Sequence, residues 1–220
     1  MKRILFIILA ALVATTAVEA KKMSDLTVVI DPGHGGYDGD DRPIKIHPYG
    51  QNDTIGYWES KSNLVKGCYL KKILDSLGCD AHLTRVHNVY NEIDGDNIPD
   101  EPGLTTRSYV ANNLGADCFF SIHSNAGEGV NYPLMIFHRG GSYDDWSGQL
   151  TTYKAENEKL CNEVNDVFNT SIYSNWVNYK GQTGTSNPGR VTADKDLLGY
   201  SLGVLRNLHG IGMLSEGGMH

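Results

Sequence analysis

The sequence predicts a single α/β domain, built on a mixed and mostly parallel sheet that is flanked by helices. Three short apolar runs, at residues 26–30, 118–122 and 211–214, are the main basis for this prediction. Continuous apolar runs of this kind are typical of parallel strands that are buried on both faces. Segments with helical periodicity separate the runs, and strands that alternate with helices indicate βα units. At 220 residues, the chain is long enough for one domain with a full core.

The first part of the domain is expected to form a strand, a loop and a helix. The strand at 26–30 ends at Asp31-Pro32-Gly33, and a long polar loop follows it at 35–58. A helix is expected at about 60–77, because Gly78 is typical of the residue that follows a helix. The side of this helix expected to be buried carries apolar residues at helical spacing, namely Leu64, Val65, Cys68, Ile73, Leu74 and Leu77.

A second strand is expected at 80–85, followed by a polar loop at 86–103. Thr105 or Thr106 can cap a second helix, which ends at Gly115. The apolar side of that helix would carry Tyr109, Val110, Ala111 and Leu114. The remaining expectations are strands at 118–122, 134–138 and 211–214, a helix at 147–170, a loop with short structure at 171–195, and an ambiguous segment at 197–205.

The N-terminus has the pattern of a secretory signal peptide. Lys2 and Arg3 precede an apolar stretch at 4–18, and the small residue Ala20 suits cleavage. We therefore expect residues 1–20 to be removed and residues 21–220 to form the domain, in the periplasm or outside the cell. The apolar stretch is too short to span a bilayer comfortably, so no stable membrane anchor is expected after cleavage. The chain ends directly after its last expected strand, which favours a domain truncated at its C-terminus.

The formal net charge of −7 argues against nucleic-acid binding, which uses clustered Lys and Arg. An exported chain permits disulfides, and four cysteines are present, Cys68, Cys79, Cys118 and Cys161. They include no Cys-x-x-Cys pair, so a zinc site made of cysteines is not expected. One disulfide could form, although the sequence does not determine which cysteines would pair.

Two histidines follow expected strands and lie among small or polar residues. His34 follows the strand at 26–30 and is flanked by glycines, and His123 follows the strand at 118–122 and precedes Ser124. In open α/β folds, the carboxyl ends of the strands form the edge where active sites lie. Two imidazoles at this edge, together with a carboxylate, would make a zinc site.

The third zinc ligand is expected to be a side chain that reaches the same edge. Glu59 is the best candidate, because it lies where the long loop returns to the expected helix. His47, within that loop, is the alternative. Glu216 follows the last strand, where a carboxylate could take a proton from a zinc-bound water and pass it to a leaving amine.

Several motifs, in order along the chain, resemble those of the zinc-dependent N-acetylmuramoyl-L-alanine amidases of type 3. They are Asp31-Pro32-Gly33-His34-Gly35-Gly36, Glu59 ahead of a helix, Leu83-Thr84-Arg85, Thr106-Arg107, Ala111-Asn112, Ser121-Ile122-His123-Ser124-Asn125-Ala126 and Leu214-Ser215-Glu216-Gly217-Gly218. The first of these motifs and the one around His123 are specific in combination.

The resemblance implies an α/β domain with one zinc ion, held by His34, Glu59 and His123, and a catalytic glutamate at Glu216. It implies cleavage of peptidoglycan at the amide between N-acetylmuramic acid and L-alanine, during wall turnover or division. A protein activator would also be in keeping with such a family.

Two other functions fit the same residues. The domain could bind peptidoglycan, or activate another hydrolase, without turnover; a degenerate module of that kind would be expected to lose Glu216, which this chain keeps. It could also be a zinc peptidase that acts on stem peptides, and only the products would separate that reaction from the amidase reaction.

Overall fold

The computed structural model describes residues 21–35, 45–46, 51–52, 59–87, 103–125, 132–139, 153–172 and 189–219. The expected signal peptide and His47 lie outside these residues. The strands are β1 (Thr27–Pro32), β2 (Lys45–Ile46), β3 (Gln51–Asn52), β4 (Asp80–Leu83), β5 (Cys118–Asn125), β6 (Leu134–Phe137), β7 (Arg190–Ala193) and β8 (Gly212–Met219). The helices are α1 (Glu59–Ser76), α2 (Leu104–Leu114), α3 (Lys154–Val167), α4 (Asp194–Leu198) and α5 (Gly203–Arg206), with a 3-10 turn at Met23–Asp25 and a π turn at Phe168–Ile172.

Six strands form one mixed sheet in the order β4-β1-β5-β8-β6-β7, and β2 pairs with β3 separately. β1 is parallel to β4 and β5, and β5 is parallel to β8. β6 runs antiparallel to β8 and parallel to β7. The predicted α/β domain with a mixed, mostly parallel sheet is therefore confirmed.

Helices cover both faces of the sheet, so the central strands have apolar side chains on both faces. Val28 and Ile30 of β1 face α1 and α3, whereas Val29 between them faces α2 and α5. Phe119 and Phe120 of β5 divide in the same way. Side chains alternate along a strand, and this explains why these strands have continuous apolar runs.

The face of α1 that is buried differs from the one predicted. Of the six residues of the expected apolar stripe, Leu74 is buried, whereas Cys68 is exposed and Val65 is 43% exposed. Ile73 and Leu77 are also exposed. The buried residues at the start of α1 are mostly polar: Glu59, Ser60, Ser62 and Asn63. This prediction was wrong because the first turns of α1 pack against polar groups at the edge of the sheet and not against the apolar core.

The buried side of the second helix was predicted only in part, since Ala111 is buried as expected and Val110 packs against the core. Tyr109 and Leu114 are exposed, and the buried residues of α2 are Arg107, Ser108 and Ala111. The helix begins at Leu104, so the two threonines expected to cap it lie in its first turn. Its end was predicted correctly, because Gly115 adopts the left-handed conformation that terminates a helix.

Other differences concern short elements and the cysteines. Residues 171–195, expected to be loop with short structure, contain the short strand β7, whereas the loop expected at 35–58 contains the β2–β3 pair. The ambiguous segment at 197–205 spans the end of α4 and most of α5. All four cysteines are free thiols, so no disulfide is formed. Among the described residues, no helix combines the length and apolar character that crossing a membrane requires.

Candidate metal centre and catalytic site

The carboxyl ends of β1, β5 and β8 meet at one edge of the sheet, because these three neighbouring strands are parallel. His34 lies two residues beyond β1, and Glu59 is the first residue of α1. His123 and Glu216 are Cα partners on β5 and β8. Neighbouring strands are about 4.8 Å apart, and paired residues on parallel strands direct their side chains to the same face. The four residues singled out in the sequence therefore converge at one edge.

The side chains of His34, Glu59 and His123 form a compact cluster. One nitrogen or oxygen atom from each lies within 4.8 Å of the atoms from the other two. Glu59 Oε2 is 3.2 Å from His34 Nε2, and Glu59 Oε1 is 3.3 Å from His123 Nδ1. Ligand atoms placed about 2.05 Å from a tetrahedral zinc are separated by roughly 3.3 Å. Glu59 presents a different oxygen to each histidine, and two imidazoles and one carboxylate this close together could hold a divalent metal ion.

Glu59 is 2% exposed, and neighbouring groups hold its carboxylate in place. The backbone N–H of Ser124 donates to Glu59 Oε1 at 2.9 Å, and the side-chain amide of Asn63 donates to the same oxygen at 3.2 Å. Burial by itself would raise the pKa of Glu59, but hydrogen bonds with His123, His34 and Ser124 outweigh burial and lower it. The carboxylate is therefore ionised, the form in which it ligates a metal.

The backbone at Gly33 and His34 brings the two imidazoles together. The Gly33 N–H donates to the Ile122 carbonyl at 2.9 Å, which joins the end of β1 to β5. The ring of His123 lies directly against Gly33, where a side chain would otherwise be. His34 has φ of 57°, a left-handed conformation that is uncommon for a residue other than glycine. Such strain persists only where the surroundings impose it, and it is often found at functional sites.

We predict that Gly33→Ala disrupts the cluster. A Cβ at this position would lie 2.0 Å from His123 Nε2, so the imidazole would have to move. Zinc affinity, measured by competition with a chromophoric chelator, is expected to fall about 10- to 100-fold. This is the loss that typically follows mutation of residues that orient metal ligands. Gly103→Ala is the matched control, since a Cβ there meets nothing within 4 Å. Equal zinc affinity in the two variants would contradict the role given to Gly33.

Glu216 lies beside the cluster and is not part of it. Burial raises the pKa of its carboxyl group; the charges of His123 and His34 oppose that rise, and the charge of Glu59 adds to it. A carboxyl group with a raised pKa binds a proton more readily than an ordinary glutamate, which suits a group that takes up a proton and later releases it. Its position beside His123 suits transfer of a proton to or from a group bound at the cluster.

The family model for N-acetylmuramoyl-L-alanine amidases, Amidase_3, matches residues 28–219. The chain belongs to this amidase family. The match spans every strand of the main sheet apart from the first residue of β1, and it includes all four candidate residues. The amidase acts on peptidoglycan, the substrate of the family.

Two solved structures with similar folds support the same architecture. The catalytic domain of CwlV, an N-acetylmuramoyl-L-alanine amidase from Bacillus (Paenibacillus) polymyxa var. colistinus, aligns with a TM-score of 0.50 and 21% identity, over 88% of this chain and 80% of that one. Ami1 from Mycobacterium smegmatis, an N-acetylmuramyl-L-alanine amidase, aligns with a TM-score of 0.54 and 16% identity, over 90% and 84%. At these identities the likeness concerns the fold alone. A search of curated proteins gave no significant match.

Two buried arginines of the amidase hold the backbone that carries His34. Arg107 donates to the carbonyls of Pro32 and His34 at 2.9 and 3.1 Å. Arg85 donates to the carbonyls of Pro32 and Gly33 at 2.7 and 3.0 Å, and to that of Ser60 at 2.7 Å. Arg85 thus joins the segment before His34 to the start of α1. Both arginines lie within the motifs named above, but the sequence pattern predicted no role for them.

Three further residues near the cluster were given no role from sequence, Asn63, Lys66 and Ser124. The ammonium group of Lys66 donates to Ser124 Oγ at 2.7 Å and to Asn63 Oδ1 at 3.3 Å. Asn63 and Lys66 are four and seven residues after Glu59, a spacing that places all three on one side of a helix. This spacing could have predicted that Asn63 and Lys66 lie near Glu59. The apolar stripe of α1 indicated a different buried side, so the spacing was not used.

Proposed function

We propose that this amidase is a zinc enzyme, with His34, Glu59 and His123 as the metal ligands and Glu216 as the catalytic acid–base. It would cleave the amide between N-acetylmuramic acid and the L-alanine of the stem peptide. The main support is the cluster of two imidazoles and one carboxylate, with an ionisable carboxyl group beside it. Zinc held there would act as a Lewis acid toward the carbonyl oxygen and would lower the pKa of a coordinated water.

The side chains have separate tasks in this proposal. The Glu216 carboxylate accepts a proton from the water that attacks the amide carbonyl, and it donates that proton to the L-alanine nitrogen as the amide C–N bond breaks. Ser124 and Asn63 keep the Glu59 carboxylate oriented toward the cluster. Arg85 and Arg107 keep the carbonyls of residues 32–34 fixed, and so position the His34 imidazole. Glu216 is retained, which favours turnover over the alternative of a non-catalytic binding module.

The proposal predicts that a chelator abolishes activity and that zinc restores it. Purified protein should release stem peptides from isolated sacculi, with about one equivalent of zinc bound per chain, and mass spectrometry should find L-alanine at the new amino terminus of the products. Products cut within the stem peptide would instead support a zinc peptidase. Full activity after exhaustive dialysis against chelator would contradict the zinc assignment.

The N-terminal pattern supports a further proposal, that the mature enzyme acts in the periplasm or outside the cell. A fusion of residues 1–20 to a reporter that is active only after export would test it. A protein activator stays a prediction from the resemblance to the family. Its test is whether the purified enzyme alone reaches the turnover that it has in an extract.

A further inference from the structure

Lys66 places a positive charge at the same edge of the sheet as the cluster. Its ammonium contacts Ser124, the residue that follows His123, and Asn63, which contacts Glu59. The charges of Glu59 and Glu216 both act on this ammonium. Lys66 is therefore close to the proposed metal ligands and to the proposed acid–base, although it lies about two turns along α1 from Glu59.

The Lys66 ammonium is held in place, and it retains the capacity to bind another group. A lysine has three N–H donors, and two of them are used by Ser124 Oγ and Asn63 Oδ1. Among the described residues, no carboxylate forms an ion pair with it within 4 Å. The residue is also exposed, unlike its neighbour Gly67, so a ligand in solution can approach it. Because the two contacts fix the flexible side chain in advance, a ligand would cost little further side-chain entropy.

The charge at this edge favours an anionic ligand. With a divalent ion in the cluster, the ion and Lys66 carry three positive charges, and the carboxylates of Glu59 and Glu216 carry two negative charges. The net charge of these groups is then +1. Stem peptides carry carboxylates, and two residues of extended chain span at most about 7 Å. The Lys66 ammonium is 3.3 Å from Asn63 Oδ1, and Asn63 Nδ2 is 3.2 Å from Glu59 Oε1, so the ammonium is no more than about 9 Å from the cluster. A carboxylate one residue beyond the L-alanine can therefore reach it with a hydrogen bond.

We propose that Lys66 is a substrate-binding residue, whose ammonium binds the α-carboxylate of the stem-peptide residue that follows L-alanine. This inference rests on the proposed function, because it takes the scissile amide to lie at the cluster. Binding by the Lys66 ammonium gives the enzyme a preference for stem peptides in which this carboxylate is free over stem peptides in which it is amidated.

The test compares two substrates that differ at this one group, N-acetylmuramoyl-L-alanyl-D-glutamate and N-acetylmuramoyl-L-alanyl-D-isoglutamine. For the wild type, KM is expected to be about tenfold lower for the acid than for the amide, and to rise more steeply with ionic strength for the acid, since the amide keeps only its γ-carboxylate. Lys66→Met should raise KM for the acid to that of the amide with kcat retained, and Lys66→Arg should keep much of the preference. Lys72→Met, an exposed lysine on the same helix, is the matched control and should change nothing.

Other outcomes would overturn the proposal. If Lys66→Met impaired both substrates equally, or lowered kcat or zinc content with KM unchanged, Lys66 would serve to hold Asn63 and Ser124 and would not bind substrate. The dissociation constants of both compounds, measured calorimetrically with Glu216→Gln, separate this inference from the proposed function. Tighter binding of the acid without turnover by the wild type would leave Lys66 supported and the hydrolytic proposal rejected.

Discussion

Glu216→Gln is expected to lower kcat by about 10²- to 10⁴-fold, the range that a positioned acid–base contributes. Glutamine has nearly the same shape, but it cannot take a proton from the nucleophile or give one to the amine. Glu216 lies on β8 beside the cluster and not within it, so zinc content should stay near that of the wild type. Release of stem peptides from sacculi, measured with zinc analysis of the same samples, checks both parts.

The pH profile gives an independent check on Glu216. Because burial raises the pKa of this carboxyl group, the acid limb of kcat/KM in the wild type should lie above the pH at which an ordinary glutamate titrates. Activity should rise as Glu216 deprotonates, and the residual activity of Glu216→Gln should lack that limb. Glu158→Gln, at an exposed site on α3, serves as the control. Loss of zinc together with activity in Glu216→Gln would contradict the assignment.

Arg107→Met is expected to lower the free energy of unfolding by about 3–5 kcal/mol, as when one member of a buried ion pair is removed. Arg107 and Asp31 are 3% and 1% exposed, with 2.8 Å between Nη1 and Oδ1. The hydroxyls of Thr84 and Ser121 also donate to the Asp31 carboxylate, but they bring no compensating charge. The variant would leave a buried carboxylate unpaired, and urea unfolding followed by circular dichroism measures the loss.

The matched control is Arg139→Met. Arg139 pairs with Asp196 at the surface, and both side chains are about half exposed. Removing such an exposed pair typically costs between 0 and about 1 kcal/mol. Similar losses in the two arginine variants would mean that the buried pair contributes no more than a surface pair.

Asp31 also makes stability depend on pH in a defined direction. Burial alone would raise the pKa of Asp31, but the Arg107 charge and hydrogen bonds from Thr84, Arg107 and Ser121 lower it overall. The ionised Asp31 carboxylate therefore stabilises the fold fully above the pKa of aspartate in the unfolded chain, about 3.9. This stabilisation is lost as the pH falls through the lower pKa of Asp31 in the folded protein. The free energy of unfolding of the wild type should therefore exceed that of Asp31→Asn by a constant amount above about pH 4, and by a smaller amount below it.

The parts of the fold that the sequence predicted well are those in which local pattern and burial coincide. β1 and β5 are covered on both faces, so nearly every side chain at their centres had to be apolar. Gly115 ends α2 where predicted, because few other residues adopt the left-handed conformation easily. The candidate site was found because His34 follows β1, and His123 and Glu216 lie just after the apolar runs of β5 and β8, although both of these strands continue past them. Residues 1–20 and His47 lie outside the described residues, and the predictions for them stay predictions.

The sequence by itself determined the α/β class, the central strands, and which histidines and glutamates come together at the carboxyl edge. These follow from short-range patterns, since a strand buried on both faces and the residues just beyond it are adjacent in the chain. Only the tertiary structure decided which sides of α1 and α2 are buried. Both helices bury polar residues that bind backbone carbonyls and carboxylates from distant segments, as Arg107 does with Asp31 and Pro32. Helical periodicity within one segment carries no information about such partners, so the apolar stripe misplaced most of the buried side of α1 and part of that of α2.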